Sequence, residues 1–130
     1  MEFDYIIVHG VFSWVPPEVR DKVLSICQDL LAPQGVAFIS YLALPGSHVR
    51  AMLRDMMLYH AGDTQNAAAL LEAGREVASF IAGDAPGGDL ARRALQGEAA
   101  RFLAAVPNYV LHDDLAEWNA PYYFIQFVNL

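Results

Sequence analysis

The chain has 130 residues, 55% of them hydrophobic and only 18% charged, and its mean hydropathy is +0.27. That length supports one domain with a real core, and the composition excludes a disordered tail, which would be poor in apolar residues and rich in charge. Fifteen acidic residues oppose eight scattered basic ones, for a formal charge of -7, so no basic stripe exists to neutralise a phosphate backbone and nucleic acid is not an expected partner.

A membrane is not expected either. The longest apolar stretch, Val36 to Leu44, is broken by Ser40 and is far too short to span one. Met1-Glu2-Phe3-Asp4 is acidic where a secretory leader is basic. The lone Cys27 cannot close an intramolecular disulfide, which fits a reducing compartment, and a cytoplasmic location is the expectation.

Phe3 to Val8 is a short, nearly continuous apolar run ending at His9-Gly10, the pattern of a strand covered on both faces in a parallel sheet. Pro17 at a first helical position and Glu18 in the first turn predict a helix entry. The helix is expected to bury Val19, Val23, Ile26, Cys27 and Leu30, with Arg20, Asp21, Gln28 and Asp29 towards solvent. Ala32-Pro33-Gln34-Gly35 should end it in a turn before a second strand, Val36 to Leu42. Strand, helix and strand within this length predict a right-handed βαβ unit.

After Pro45-Gly46 the pattern becomes helical. Ser47 is a candidate cap for a helix reaching Ala61, with Val49, Met52, Leu53, Met56 and His60 on its inner face. A second helix is expected from near Thr64 to Gly83, carrying Leu70, Leu71, Val77, Phe80 and Ile81, and a loop over Asp84 to Gly88. A third runs from Asp89 to Ala105 with Leu95, Phe102 and Leu103, and Pro107-Asn108 stops it. Tyr109 to Trp118 reads as a short helical piece, and Tyr122 to Val128 fits either strand or helix by periodicity.

Phe3 to Val15 resembles the fourth strand and following loop of class I S-adenosylmethionine-dependent methyltransferases, with Asp4 near the strand's start. Leu30-Leu31-Ala32-Pro33-Gln34-Gly35-Val36 is similar to their turn into the fifth strand, although Ala32 and Gln34 replace a lysine and a glycine of the usual pattern. Gly35 there occupies the position expected to need positive φ. Leu44-Pro45-Gly46, Met52 to Met57, Leu111 to Leu115 and Pro121 to Phe124 resemble a bacterial subset that carries a helical methyltransferase regulatory domain.

The resemblance implies a partial Rossmann-like parallel βαβ unit followed by a mostly helical region. Residues 1–45 would be part of the catalytic sheet, 46–119 the regulatory or cap region, and 120–130 the start of a further helix of the catalytic fold. It also implies S-adenosylmethionine as cofactor, with His9, Gly10 and Val11 near its methionine part and Phe12, Trp14 and Tyr41 on the substrate side. No Gly-x-Gly-x-x-Gly occurs in the chain, and Gly83, Gly87 and Gly88 follow a helix instead of a strand. The glycine-rich cofactor loop is thus lacking, and the chain resembles the middle of a larger methyltransferase.

Individual residues add little further chemistry. His9 is a candidate proton acceptor or a strand-end histidine bonded to backbone. His48, His60 and His112-Asp113-Asp114 match no metal-ligand spacing, so no metal is expected and Asp113-Asp114 reads as a solvated helix end. Met52, Met56 and Met57 fit core packing, and Cys27 reads as an inert packing residue. Two functions follow. One is a methyltransferase fragment, inactive alone, whose partner is its missing N-terminal half; the other is a non-enzymatic helical module for protein interaction or self-association.

Overall fold

The computed structural model describes residues 1–83 and 88–130. In chain order its elements are β1 (Phe3–Val8), a 3-10 turn (Phe12–Trp14), α1 (Pro17–Leu30), β2 (Leu31–Ile39), α2 (His48–Ala61), α3 (Ala67–Gly83), α4 (Leu90–Ala104), α5 (Pro107–Asp113) and α6 (Phe124–Phe127). The expected loop over Asp84 to Gly88 lies, except for Gly88, outside the described residues. None of the described helices is long and apolar enough to cross a membrane. The chain is a partial Rossmann-like parallel βαβ unit followed by a mostly helical region, and it divides into two compact units, Met1–Pro45 with Glu117–Leu130, and Gly46–Ala116.

In the first unit β1 and β2 pair in parallel, with Tyr5 opposite Val36 and Val8 opposite Ile39. Strand β2 begins at Leu31, ahead of the expected turn of Ala32 to Gly35, because α1 runs directly into it and Leu31 pairs with Phe3 before the ladder slips and resumes at Val36. It ends at Ile39 instead of Leu42: after Ser40 N–H donates to Val8 C=O, the first strand turns away, and Leu42 N–H turns to the Ser13 hydroxyl. Gly35 does not have positive φ. Its constraint is space, since a Cβ there would sit 2.9 Å from Leu31 Cδ1 and 3.0 Å from both Ala32 and Phe3 carbonyl oxygens.

Alternation along both strands puts Phe3, Tyr5, Ile7, Val36 and Phe38 on one face, and all five are exposed. The expectation of cover on both faces therefore fails within these residues; only the face bearing Ile6, Val8, Ala37 and Ile39 is partly buried. Helix α1 spans the expected residues, with Pro17 at its start. Its covered sector is Arg20, Val23, Leu24 and Cys27, while Val19 and Ile26 are exposed. Arg20 turns inward because Tyr122 meets it: the guanidinium donates to the phenol oxygen and its carbon lies 5.8 Å from the ring centroid.

The ambiguous Tyr122 to Val128 run splits between both readings. Tyr122 N–H donates to Leu42 C=O and Leu44 N–H donates to Tyr122 C=O, a parallel bridge with Ala43. Residues Phe124–Phe127 then form one helical turn, begun by Gln126 Oε1 accepting from Tyr123 N–H.

The second unit packs α2 to α5 around Leu53, Met57, Ala78, Ile81, Ala99, Phe102, Val110 and Leu115. Asn66 Oδ1 accepts from the N–H groups of Ala68 and Ala69 at the start of α3, and Asp89 Oδ1 accepts from Arg92 N–H at the start of α4. Pro107 opens α5, which ends at Asp113 instead of Trp118.

The inner face of α2 is rotated from the expected one. Leu53 and Met57 are buried, whereas Met52, Met56 and His60 are exposed, as is Phe80 on α3. Arg50 and Arg54 occupy inward positions because acceptors wait for them. Arg50 Nε donates to Asp114 Oδ1 at 2.6 Å, and Arg54 Nη2 donates to the Ala116 carbonyl at 2.6 Å. Asp114, expected as part of a solvated helix end, is instead 1% exposed. A buried carboxylate needs paired charge, and Arg101 supplies more of it through Nη2 at 2.7 Å from Oδ1.

Candidate functional site

Both strands point their carboxyl ends the same way, so the segments after Val8 and Ile39 emerge at one edge of the sheet. In open α/β sheets that edge is where ligands bind. Gly10, at φ 68°, makes the turn out of β1, a conformation that disfavours any side chain with a Cβ. Its N–H donates to Ser40 Oγ at 2.9 Å, tying the end of one strand to the end of the other. A Cβ built on Gly10 meets no atom within 4 Å, so the backbone here borders open space.

Two further bonds fasten the loop from beneath. Ser13 is fully buried; its hydroxyl accepts from Leu42 N–H at 2.8 Å and its carbonyl from Ala120 N–H at 2.8 Å. Trp14 N–H closes the turn onto the Val11 carbonyl at 2.9 Å.

The expected site residues divide into two groups. His9 and Val11 are exposed on either side of Gly10, and the His9 ring stacks on Phe38 with centroids 6.3 Å apart. These three form the rim of the sheet edge. Phe12 is fully buried, edge-on to Phe127 at 5.4 Å and tilted against Tyr122 at 6.0 Å. Tyr41 stacks on Phe127 at 4.3 Å and meets Tyr122 edge-on at 6.3 Å, so Phe12 and Tyr41 share one aromatic cluster beneath the loop. Trp14 is half-buried at the end of the same loop.

Sequence reasoning passed over Ser13, Ser40 and Tyr122. A small hydroxyl residue just past a strand end is the available signal for the serines, since such side chains accept from neighbouring backbone. Nothing local marks Tyr122, whose partners come from remote segments. Cys27 is buried, and burial pushes its thiol pKa up, the opposite of a reactive cysteine. Among the described residues no group of three or more His, Cys, Asp or Glu side chains is arranged to hold a metal ion.

The exposed rim suits a cofactor approaching from outside the sheet: a bare glycine backbone beside open space, flanked by His9 and Val11. These residues fit one wall of such a site.

No family model matches the chain. It is 39% identical over 129 residues to the uncharacterized protein RP789 of Rickettsia prowazekii (strain Madrid E), covering 98% of this chain and 23% of that protein. To the uncharacterized protein RP028 of the same organism it is 37% identical over 129 residues, covering 52% of that protein. Among solved structures it is similar to PKMT2 from Rickettsia typhi, with a TM-score of 0.79 and 37% identity over 98% of this chain and 24% of that one. PKMT2 in complex with AdoHcy gives a TM-score of 0.75 and 41% identity over the same shares. The chain thus spans about a quarter to a half of these relatives, and it shares the fold of part of a protein whose structure holds AdoHcy.

Proposed function

We propose that the chain is a piece of a class I S-adenosylmethionine-dependent methyltransferase with a helical regulatory region, and that it is inactive by itself. The observation that carries this reading is the match over 98% of the chain to PKMT2 in complex with AdoHcy. AdoHcy is what remains of S-adenosylmethionine once its methyl group has left. The name PKMT abbreviates protein lysine methyltransferase, so a lysine side chain is the acceptor class to test first.

In this reading His9, Gly10 and Val11 form the wall against the methionine part of the cofactor, and Gly10 is bare so that a ligand can approach the backbone. S-adenosylmethionine, when bound, supplies an electrophilic methyl group. The chain's own contribution is positional: Ser40 and Ser13 fix the loop, and the aromatic cluster of Phe12, Tyr41 and Phe127 stiffens it from below. Of the three residues expected on the acceptor side, Phe12 is fully buried and Tyr41 packs in that cluster, which leaves half-buried Trp14 as the candidate to test. The exposed face of Phe3, Tyr5, Ile7, Val36 and Phe38 is the seam that the rest of the catalytic fold covers, and in its absence the same face drives self-association.

Two measurements test the reading. Calorimetric titration of the chain with S-adenosylmethionine should give no binding in the low micromolar range. Lacking the two or three polar contacts of a glycine-rich loop and a ribose-binding acid, each worth roughly 1–3 kcal/mol, moves a micromolar site towards millimolar. Replacing the matched quarter of PKMT2 with this chain should preserve AdoHcy binding to within about tenfold. A folded chimera that has lost AdoHcy binding, or a lone chain that binds S-adenosylmethionine at low micromolar concentration, would overturn the proposal.

A further inference from the structure

In the helical unit an open groove of about 720 Å³ runs between the second half of α2 and the second half of α3. Met56 and Val77 contribute apolar lining, and Tyr59 and Phe80 are the most exposed rings beside them, at 91% and 77%. Asp55 and Glu76 add the charge, and His60 Nε2 lies 2.8 Å from Glu76 Oε2, joining the two helices across it. The neighbouring cation on α3, Arg75, lines a second depression with Glu72 and Pro107, which Glu76 borders as well.

The volume alone would suit a small ligand, since such sites measure roughly 300–1,000 Å³. The walls do not. A small-molecule site encloses most of its ligand, whereas Tyr59 and Phe80 stand almost fully in solvent here. A ligand that is itself a rod would cover them. On each helix the apolar side chains recur at i and i+3, Met56 with Tyr59 and Val77 with Phe80, giving two short rails of the kind that receive the apolar face of a third helix. The two carboxylates select a cationic flank on that helix.

We propose that this groove docks an amphipathic basic helix of a partner protein. Its apolar side chains would lie over Met56 and Val77 between Tyr59 and Phe80, and its lysines or arginines would face Asp55 and Glu76. The groove lies wholly in the helical unit and shares no residue with the rim of His9, Gly10 and Val11, so its test does not depend on cofactor binding.

The probe is a fluorescein-labelled helical peptide with leucines at i, i+3, i+4 and i+7 and lysines on its other face, titrated against the full chain by anisotropy. A second peptide carries glutamates in place of the lysines. The lysine peptide should bind at least about tenfold more tightly than the glutamate one, with the gap closing as salt rises. Phe80→Ala and Tyr59→Ala should each weaken it about tenfold, and the pair Asp55→Asn with Glu76→Gln should remove most of the salt dependence. All these side chains are exposed or line the groove, so retained helicity and melting temperature check the fold of each variant. Ile7→Ser, on the exposed sheet face, should leave affinity unchanged. Equal binding of the two peptides, indifference to Phe80→Ala, or loss on Ile7→Ser would overturn the proposal. So would a dimer that Phe80→Ala dissociates, since a second copy would then be the occupant.

Discussion

Removing the carboxylate of Asp114 tests the electrostatic account of the helical unit most directly. Its side chain is 1% exposed and one oxygen, Oδ1, accepts from Arg50 Nε at 2.6 Å and from Arg101 Nη2 at 2.7 Å. Arg101 Nη1 adds a weak contact to Oδ2 at 3.4 Å. Stripping one partner from a buried ion pair costs about 3–5 kcal/mol when the other charge is stranded. Here neither arginine is wholly stranded. Arg50 Nη2 is 3.6 Å from Asp113 Oδ2, Arg101 Nε donates to Glu98 Oε2 at 2.8 Å, and the two side chains are 21% and 33% exposed. Burial works against the Arg101 charge, but its bonds to Asp114 and Glu98 outweigh that and hold the guanidinium more firmly protonated than usual.

These offsets bring the expected cost of Asp114→Asn to about 2–3 kcal/mol, and of Asp114→Ala to about 3–4 kcal/mol because no acceptor remains. At roughly 4–8 °C per kcal/mol for a unit of this size, melting should fall by on the order of 10–20 °C. Urea unfolding followed by far-ultraviolet circular dichroism reads the free energy. A double-mutant cycle with Arg101→Met should show coupling of at least about 1 kcal/mol. A cost for Asp114→Asn below about 0.5 kcal/mol, or an additive cycle, would refute the reasoning.

Three other outcomes follow from the geometry. Gly10→Val should destabilise the first unit by about 1–2 kcal/mol, because a β-branched residue is forced to φ 68°; Gly10→Asn should cost clearly less, and equal urea midpoints for the two would contradict the argument. Gly35→Ala should cost about 1–3 kcal/mol, since two of the three atoms its Cβ would crowd are backbone oxygens that cannot rotate away; a variant as stable as the parent would show that the strand pairing there is loose. At alkaline pH, Tyr109 is held protonated first by its hydrogen bond to Asp113 and then by burial, and Cys27 by burial. Both bind their proton more tightly folded than unfolded, so their stabilising effect is complete below the ordinary values of 9.0 and 10.0 and is lost as pH rises through the folded values. The urea midpoint should fall from about pH 9 upward, and a midpoint still constant at pH 10.5 would contradict this.

The sequence by itself determined the elements whose cause is local. Phe3–Val8 is a strand because its apolar run has no helical period, and α1 begins at Pro17 because proline lacks the N–H that a first helical turn leaves unused. The glycine at the strand end, His9-Gly10, was legible for the same reason: it marks the turn where the chain leaves the sheet. Tertiary structure decided everything that depends on a distant partner. Periodicity counts arginine as outward, yet Arg20, Arg50 and Arg54 face inward because Tyr122, Asp114 and the Ala116 carbonyl receive them. On α2, the inward Arg50 and Arg54 set the rotation that leaves Met52, Met56 and His60 in solvent. Strand β2 ends at Ile39 because Gly10 removes its partner strand, not because its own residues stop favouring extended structure. An apolar pattern shows that a face seeks cover; only the folded chain shows which faces find it, and here Tyr5 and Ile7 do not, remaining 74% and 73% exposed.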